Sequence, residues 1–404
     1  MTKEKTMRTN HSTFRVGLVI AVMLGLTIAS SRIRADVGTC GGVTTTVPFI
    51  DVAGNSFFCQ IAAAYFSGLA NGTSPTTYSP SQSVPRDQMA AFVTRSLDQS
   101  LKRGSRRAAL KQFWTPTSPD GIGLTTVGTL PELLDSDGAD LWVANVISET
   151  VSRVRASDGT LLETWTGATR AFGVRAAKGL IFVTGDANPG ILYQIDPSQP
   201  AGAVTTLTSS LGALPGALAF DGARIWTANG GVPGSVSIVT LNPISVTTVT
   251  TGFTKPRGIV YDGANIWVTD TGTTPGKLFK LDSNGAIIQT VTMDNVPANP
   301  VFDGTNIWVP NLNSDSVTVV RASNGVILAT LTSNGLSGPT SAAFDGERIL
   351  ITNSVGNSVS LWKATDLTPL GSVDTGLSTS PVGACSDGLN FWITLFLSGK
   401  LARF

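Results

Sequence analysis

The sequence predicts a mainly β fold, a seven-bladed β-propeller preceded by a small α-helical module and a signal peptide, and three observations carry that prediction. A unit of about 42 residues recurs seven times after residue 122. Its strand-length runs are rich in Val, Ile and Thr, are punctuated by Asp-Gly turns and show no helical period. The chain of 404 residues is 42% apolar and 14% charged, which supplies a large core and excludes both wholesale disorder and a long solvated coiled coil.

Residues 1–35 read as a signal peptide. A basic start is followed by VGLVIAVMLGLTIAS at 16–30, an apolar run of 15 residues, whereas a bilayer-spanning helix needs about 20. Cleavage after Ala35 or near Ser31 fits, with an uncleaved anchor as the alternative. No later stretch is apolar enough to span a membrane. The expected location is the cell envelope, the outer surface or the medium. Beyond this segment, 22 Lys and Arg stand against 26 Asp and Glu, a net charge of −4, which argues against nucleic acid as a partner because that binding draws on neutralised phosphates. The segment also holds His11, the only histidine, so the mature chain is expected to have no imidazole.

An exported chain keeps disulfides, and Cys40 and Cys59 flank one small segment, so they are expected to pair. Cys385 sits alone in an apolar run and reads as a small buried hydrophobe rather than a nucleophile, with no histidine to activate it. Residues 36–97 read as a small helical module. Asn55 or Ser56 is an N-cap for a helix whose apolar face carries Phe57, Phe58, Ile61, Ala62, Tyr65, Phe66 and Leu69, and Asn71-Gly72 stops it. Pro85 suits the first turn of a second helix, with Asp87 near its positive end and Met89, Phe92 and Val93 on its apolar face.

The order of FIDV (49–52), the helix ending at Gly68, the loop YSP (78–80) and VPRDQMAAF (84–92) resembles an S-layer homology module. That resemblance implies contact with cell-wall glycan and places Arg86 at the position of the sugar-gripping basic residue. A domain cap or assembly element, with Arg86 solvated, is the alternative. Residues 98–121 form a basic linker in which Lys102, Arg103, Arg106, Arg107 and Lys111 cluster, a solvated helix or a contact for anionic lipid.

Residues 122–404 hold the repeats. The Asp of the Asp-Gly turn falls at 137, 221, 262, 303, 345 and 387, with Ala177 in the degenerate second copy. A proline stands six residues earlier at 131, 215, 256, 297, 339 and 381, and five residues later come Trp142, Phe182, Trp226, Trp267, Trp308, Leu350 and Trp392. A period near 42 with four short strands per unit marks a propeller blade. In the fourth blade the strands are expected at 258–261, 265–269, 277–281 and 286–292, and the Trp column is expected to pack between blades. The last copy ends after one strand at 400–404, so LTTVG at 124–128 is expected to supply its outer strand and close the ring.

The run PRGIVYDG (256–263) followed by IWVTD (266–270), with its counterparts in other blades, resembles the YVTN and NHL class of propellers, including virginiamycin B lyase-like proteins. The resemblance implies the fold over about 280 residues; lyases, lactonases and binding proteins all use such blades. A lyase of that type would use a histidine with a metal and a general base, and no position here can take the histidine's part. A lactonase-type site, holding a divalent cation on Glu, Asn and Asp oxygens, needs none. The ring three residues after the Trp position, Asn145, Gly185, Asn229, Asp270, Asn311, Asn353 and Leu395, is the candidate, although a residue shared by most blades reads better as a turn cap.

The position one after the repeat proline breaks the pattern: Glu132, Phe172, Gly216, Arg257, Ala298, Thr340 and Val382. Glu132 and Arg257 fall in blades one and four, nearly opposite across the ring, with Arg170, Lys255 and Asp270 as the other charges near the mouth. The ligand-binding candidates are therefore Glu132, Arg170, Phe172, Arg257, Asp270 and Asn311. The expected function is non-catalytic binding or scaffolding by a monomeric propeller without cofactor, its partner a protein or cell-wall glycan; the alternative is a metal-dependent lactonase or lyase at the channel mouth.

Overall fold

A computed structural model describes residues 35–40, 43–66, 70–86, 88–90, 92 and 124–404. The expected signal peptide at 1–35, except for Ala35, and the expected basic linker at 98–121 lie outside the described residues. Residues 124–404 build seven four-stranded antiparallel sheets, the expected mainly β, seven-bladed propeller. Blade one runs Pro131–Ser136, Asp140–Asn145, Thr150–Arg155 and Leu161–Thr166. The first strand of each sheet neighbours the first strand of the next, so these inner strands ring a central channel.

Blade four shows how closely the repeat maps onto strands: Pro256–Tyr261, Ile266–Asp270, Lys277–Leu281 and Ile287–Thr292. Blade five departs from it. Its inner strand shrinks to Val301–Phe302, because Pro297 and Pro300 remove two backbone donors from the ladder. Blade seven joins Pro381–Ser386, Phe391–Leu395 and Lys400–Arg403 to Leu124–Thr126 from the start of the domain. The closing register pairs Leu124 with Ala402, Thr125 with Leu401 and Thr126 with Lys400, so the ring closes as the sequence predicts.

The Asp-Gly turn and the tryptophan form one device. In each of six blades the turn glycine has φ between +87° and +97°, which a Cβ would strain. The Asp carboxylate accepts the amides two and three residues on, as Asp262 does from Ala264 and Asn265 at 2.8 and 2.6 Å. Its second oxygen accepts the indole N–H of the tryptophan five residues later, at 2.7–2.8 Å in all five tryptophan-bearing blades. Each of those rings is fully buried against the following blade: Trp142 on Val174 and Ile181, Trp226 on Ile259 and Val268, Trp267 on Ile307 and Val309, Trp308 on Ile349 and Ile351, Trp392 on Leu141 and Val143. Phe182 and Leu350 fill the same place in blades two and six. Seven such contacts run unbroken around the disc.

The preceding residues hold a feature the sequence did not announce. Asp36–Cys40 and Val43–Val47 pair as a hairpin beside the expected helix, Phe58–Phe66. Asn55 caps that helix through Phe57, and Phe58, Ile61 and Ala62 pack on Val47, Phe49 and Val52. Cys40 and Cys59 are disulfide-bonded, as expected. Asp51 accepts the amides of Tyr78 and Ser79, tying the FIDV segment to the YSP loop. Arg86 is exposed.

Candidate ligand site at the channel mouth

One face of the disc carries the loops that enter each inner strand and those that leave each second strand. The two loops of a blade are joined by one backbone hydrogen bond that recurs in all seven: Val146 to Leu130, Asp186 to Arg170, Gly230 to Leu214, Thr271 to Lys255, Leu312 to Val296, Ser354 to Gly338 and Phe396 to Ser380. The accepting residue is left-handed in six blades. Lys255 is the exception, and there Asp270 takes over the loop. Its carboxylate accepts the amides of Thr254, Lys255 and Gly272 at 2.7, 3.0 and 2.9 Å.

Two expected ligand groups therefore turn inward. Asp270 is buried and occupied by backbone amides. Asn311 is fully buried and donates to the Ser316 and Thr318 hydroxyls at 3.1 and 2.9 Å. Asn145, Asn229 and Asn353 make the same pair of bonds to the third strand, so the column pins strands together instead of facing a ligand.

The residues after the repeat proline do converge on the mouth, and their backbone is clamped. A threonine two residues beyond the tryptophan position donates to a carbonyl of the next blade: Thr184 to Gly216, Thr269 to Ala298, Thr352 to Val382, and Thr394 to Glu132 across the ring seam, at 2.7–2.9 Å. This column was readable in the sequence as a repeated Thr, but nothing marked it as an inter-blade clamp.

Glu132 and Arg257 were expected to face each other across a wide channel. In the folded ring the two groups interact electrostatically. Burial raises the Glu132 carboxyl to about 7; Arg257 pulls it down and Asp186 pushes it up. Burial lowers the pKa of the Arg257 guanidinium, and Glu132 opposes that shift. Arg170 sits on the rim, paired with Asp186 at 2.5 Å. Asp186 is the residue that sequence reasoning missed. It follows Gly185 in the degenerate second blade, where the Asn column is interrupted, and that interruption was the available signal.

Phe172, Asp186, Gly216, Lys255, Arg257 and Val296 line a pocket of about 420 Å³ at this mouth. Of the six expected ligand residues, Glu132, Arg170, Phe172 and Arg257 thus gather at one place, and Asp270 supports its Lys255 loop from behind. The opposite half of the channel holds a second cavity of about 330 Å³, where Asp135 and Arg175 stand 3.5 Å apart beside Cys385. That thiol is buried, and burial raises its pKa well above the ordinary thiol value, as expected for a packed side chain rather than a nucleophile. Among the described residues no cluster of metal-ligating side chains occurs.

No family model and no curated protein sequence matches this chain. Solved structures do. A chain of hydrazine synthase from Kuenenia stuttgartiensis is 16% identical with a TM-score of 0.59, covering 69% of this chain and 97% of that one. A catalytically inactive histidine-to-alanine variant of virginiamycin B lyase from Staphylococcus aureus, with quinupristin, is 13% identical, TM-score 0.58, covering 69% and 98%. The WD40 propeller of Doa1 is 11% identical, TM-score 0.55, covering 69% and 97%. Proteins of such different descriptions share one architecture at these identities, and the likeness establishes the propeller fold.

Proposed function

We propose that this is an exported envelope or extracellular protein whose propeller is a non-catalytic interaction platform, with the channel-mouth face as its docking surface. One observation carries the reading. Around the mouth, the loop tips present Ile147, Val232, Val355, Leu377 and Leu397, each 59–95% exposed. The loops of the opposite face are Asp-, Gly- and Asn-rich, with Leu389 and Val326 as their exposed large apolar residues. An apolar-tipped face around a charged centre is the composition of a protein-contact surface rather than of a solvated one. The fold likeness to a WD40 domain is compatible with such use, and the single S-layer-homology-like module supports attachment to cell-wall glycan through Arg86.

The platform is tested by Val232→Asp with Leu377→Asp in the full chain, against Leu389→Asp on the other face. Incubated with the envelope fraction of the source cells and chemically cross-linked, the wild type and Leu389→Asp should give the same adduct, and the double variant at least about ten-fold less at unchanged Tm. Equal adducts from all three would end the reading. Deleting residues 36–97 should release the protein from the cell surface if the module is the anchor.

A second reading, a lactonase or lyase at the same mouth, is favoured by one observation: a carboxyl near neutrality beside an Arg suits general acid–base work. A virginiamycin-type reaction is disfavoured, since the neighbour inactivated at a histidine has no histidine counterpart beyond His11 here. Turnover of lactones or cyclic depsipeptides, with and without a divalent ion and abolished in Glu132→Gln, would decide for the enzyme.

A further inference from the structure

Resting on the platform reading, we infer that the channel mouth captures a carboxylate on Arg257, presented by the C-terminal residue of a partner polypeptide. Among the described residues no hydrogen bond or ion pair engages the Arg257 guanidinium. Arg153, Arg224 and Arg348, by contrast, each meet an Asp at 2.7–2.9 Å. A half-buried guanidinium that meets no protein acceptor and lines an open pocket is free to take one from a ligand, and two parallel carboxylate oxygens match its fork.

The resident carboxylates do not take that place. Asp186 is held by Arg170, and Glu132 sits where burial favours its neutral form. Lys255 adds a second cation on the same wall. Apart from Thr271 and the glycines, the rest of the wall is apolar, Phe172, Leu214, Pro215, Pro256 and Val296, which suits the side chain of a terminal residue. Gly216 keeps the space open. Every other blade has a side chain at this position, whereas here a Cβ would lie 3.5 Å from the Arg257 carbonyl oxygen and 3.7 Å from the Phe172 ring. A methyl at 216 would make only ordinary contacts there, whereas a longer side chain would enter the space beside Phe172, and the apolar loop tips around the mouth give the residues before the terminal one a surface to lie on. Backbone and side-chain capture of a terminal carboxylate is an established mode of peptide recognition.

The charged groups facing Arg257 are Glu132, Asp186, Arg170 and Lys255. As pH falls through 7, Glu132 loses its charge while a peptide carboxylate keeps its own, so capture should tighten from pH 8 to pH 6.

The probes are an N-acetylated Gly-Ser-Leu-Phe peptide with a free C-terminus, its C-terminal amide, and phenylacetate, each titrated into the full chain by calorimetry. The free acid should bind, the amide at least about ten-fold more weakly, and Arg257→Gln should lose about the same factor while still melting in one cooperative transition. Gly216→Leu should abolish binding by filling the space, and Glu132→Gln should remove the pH dependence without weakening capture. Equal binding of acid and amide, indifference to Arg257→Gln, or no binding at all would overturn the inference, and phenylacetate binding as tightly as the peptide would reassign the site to free organic acids. The two readings fail separately. Adducts lost in the loop-tip variants with no peptide binding sink the carboxylate site alone; peptide binding with adducts unaffected sinks the platform alone.

Discussion

Asp262 shows what one residue of the repeat does. Its carboxylate holds two turn amides and the Trp267 indole N–H at once, and Trp267 is fully buried against blade five. Replacing it by Ala strands a buried N–H and frees the turn, a loss of about 2–4 kcal/mol. Urea denaturation of Asp262→Ala should show that drop, and Asp262→Asn, which still accepts, a smaller one. Equal stability of Ala and wild type would mean the indole bond is incidental. The sequence made the spacing of Asp and Trp plain, and it gave both the caps and the packing between blades. It did not give the bond between them, because a five-residue interval says nothing of which oxygen turns toward which ring. The same limit explains Asn311 and Asp270. Their column was legible, but whether a side chain faces the third strand or the channel depends on the twist of the blade.

At the scale of the element, the closing strand is where legibility was greatest. A blade short of one strand at the C-terminus and a spare β-rich run before the first blade admit one economical arrangement, and residues 124–126 take it. Cross-strand cations add to the pairing inside blades: Arg153, Lys280 and Arg403 lie opposite Trp142, Trp267 and Trp392 in register, 5.1–5.5 Å from the ring centres. The hairpin at Asp36–Cys40 and Val43–Val47 was not legible, since two five-residue runs without a longer period carry little signal. The closure makes a sharp prediction. Thr126 and Lys400 are paired across the seam, both away from the core, so Thr126→Cys with Lys400→Cys should oxidise to a disulfide. Constraining a loop of that size is worth about 5 kcal/mol in the chain-entropy argument, less any strain. The oxidised double variant should melt higher than its reduced form; failure to cross-link would place the two strands apart.

The ring as a whole creates the environment of Glu132. Its carbonyl is fixed by Thr394 from the last blade, and its carboxyl is enclosed only because seven inner strands close around it while leaving it partly open to the channel. The carboxyl titrates at about 7 instead of the ordinary 4.5, with burial as the largest cause, so the neutral form is favoured in the folded state. A raised carboxylate pKa contributes stability that is complete below 4.5, where the group is neutral folded or unfolded alike, and is lost as pH rises through 7 and the folded protein must carry the charge. The propeller should therefore lose about 1–2 kcal/mol between pH 5 and pH 8 from this group, discounted for the water that the channel admits. Glu132→Gln should flatten that slope and be the more stable protein at pH 8. Arg257→Gln should enlarge the loss and extend it to higher pH, because the guanidinium that holds the carboxyl down is gone. Parallel melting curves against pH for wild type and Glu132→Gln would show that the carboxyl titrates as in water. In an opened ring, made by deleting residues 124–128, the carboxyl is no longer enclosed, and the difference between Glu132 and its Gln variant should vanish along with the channel.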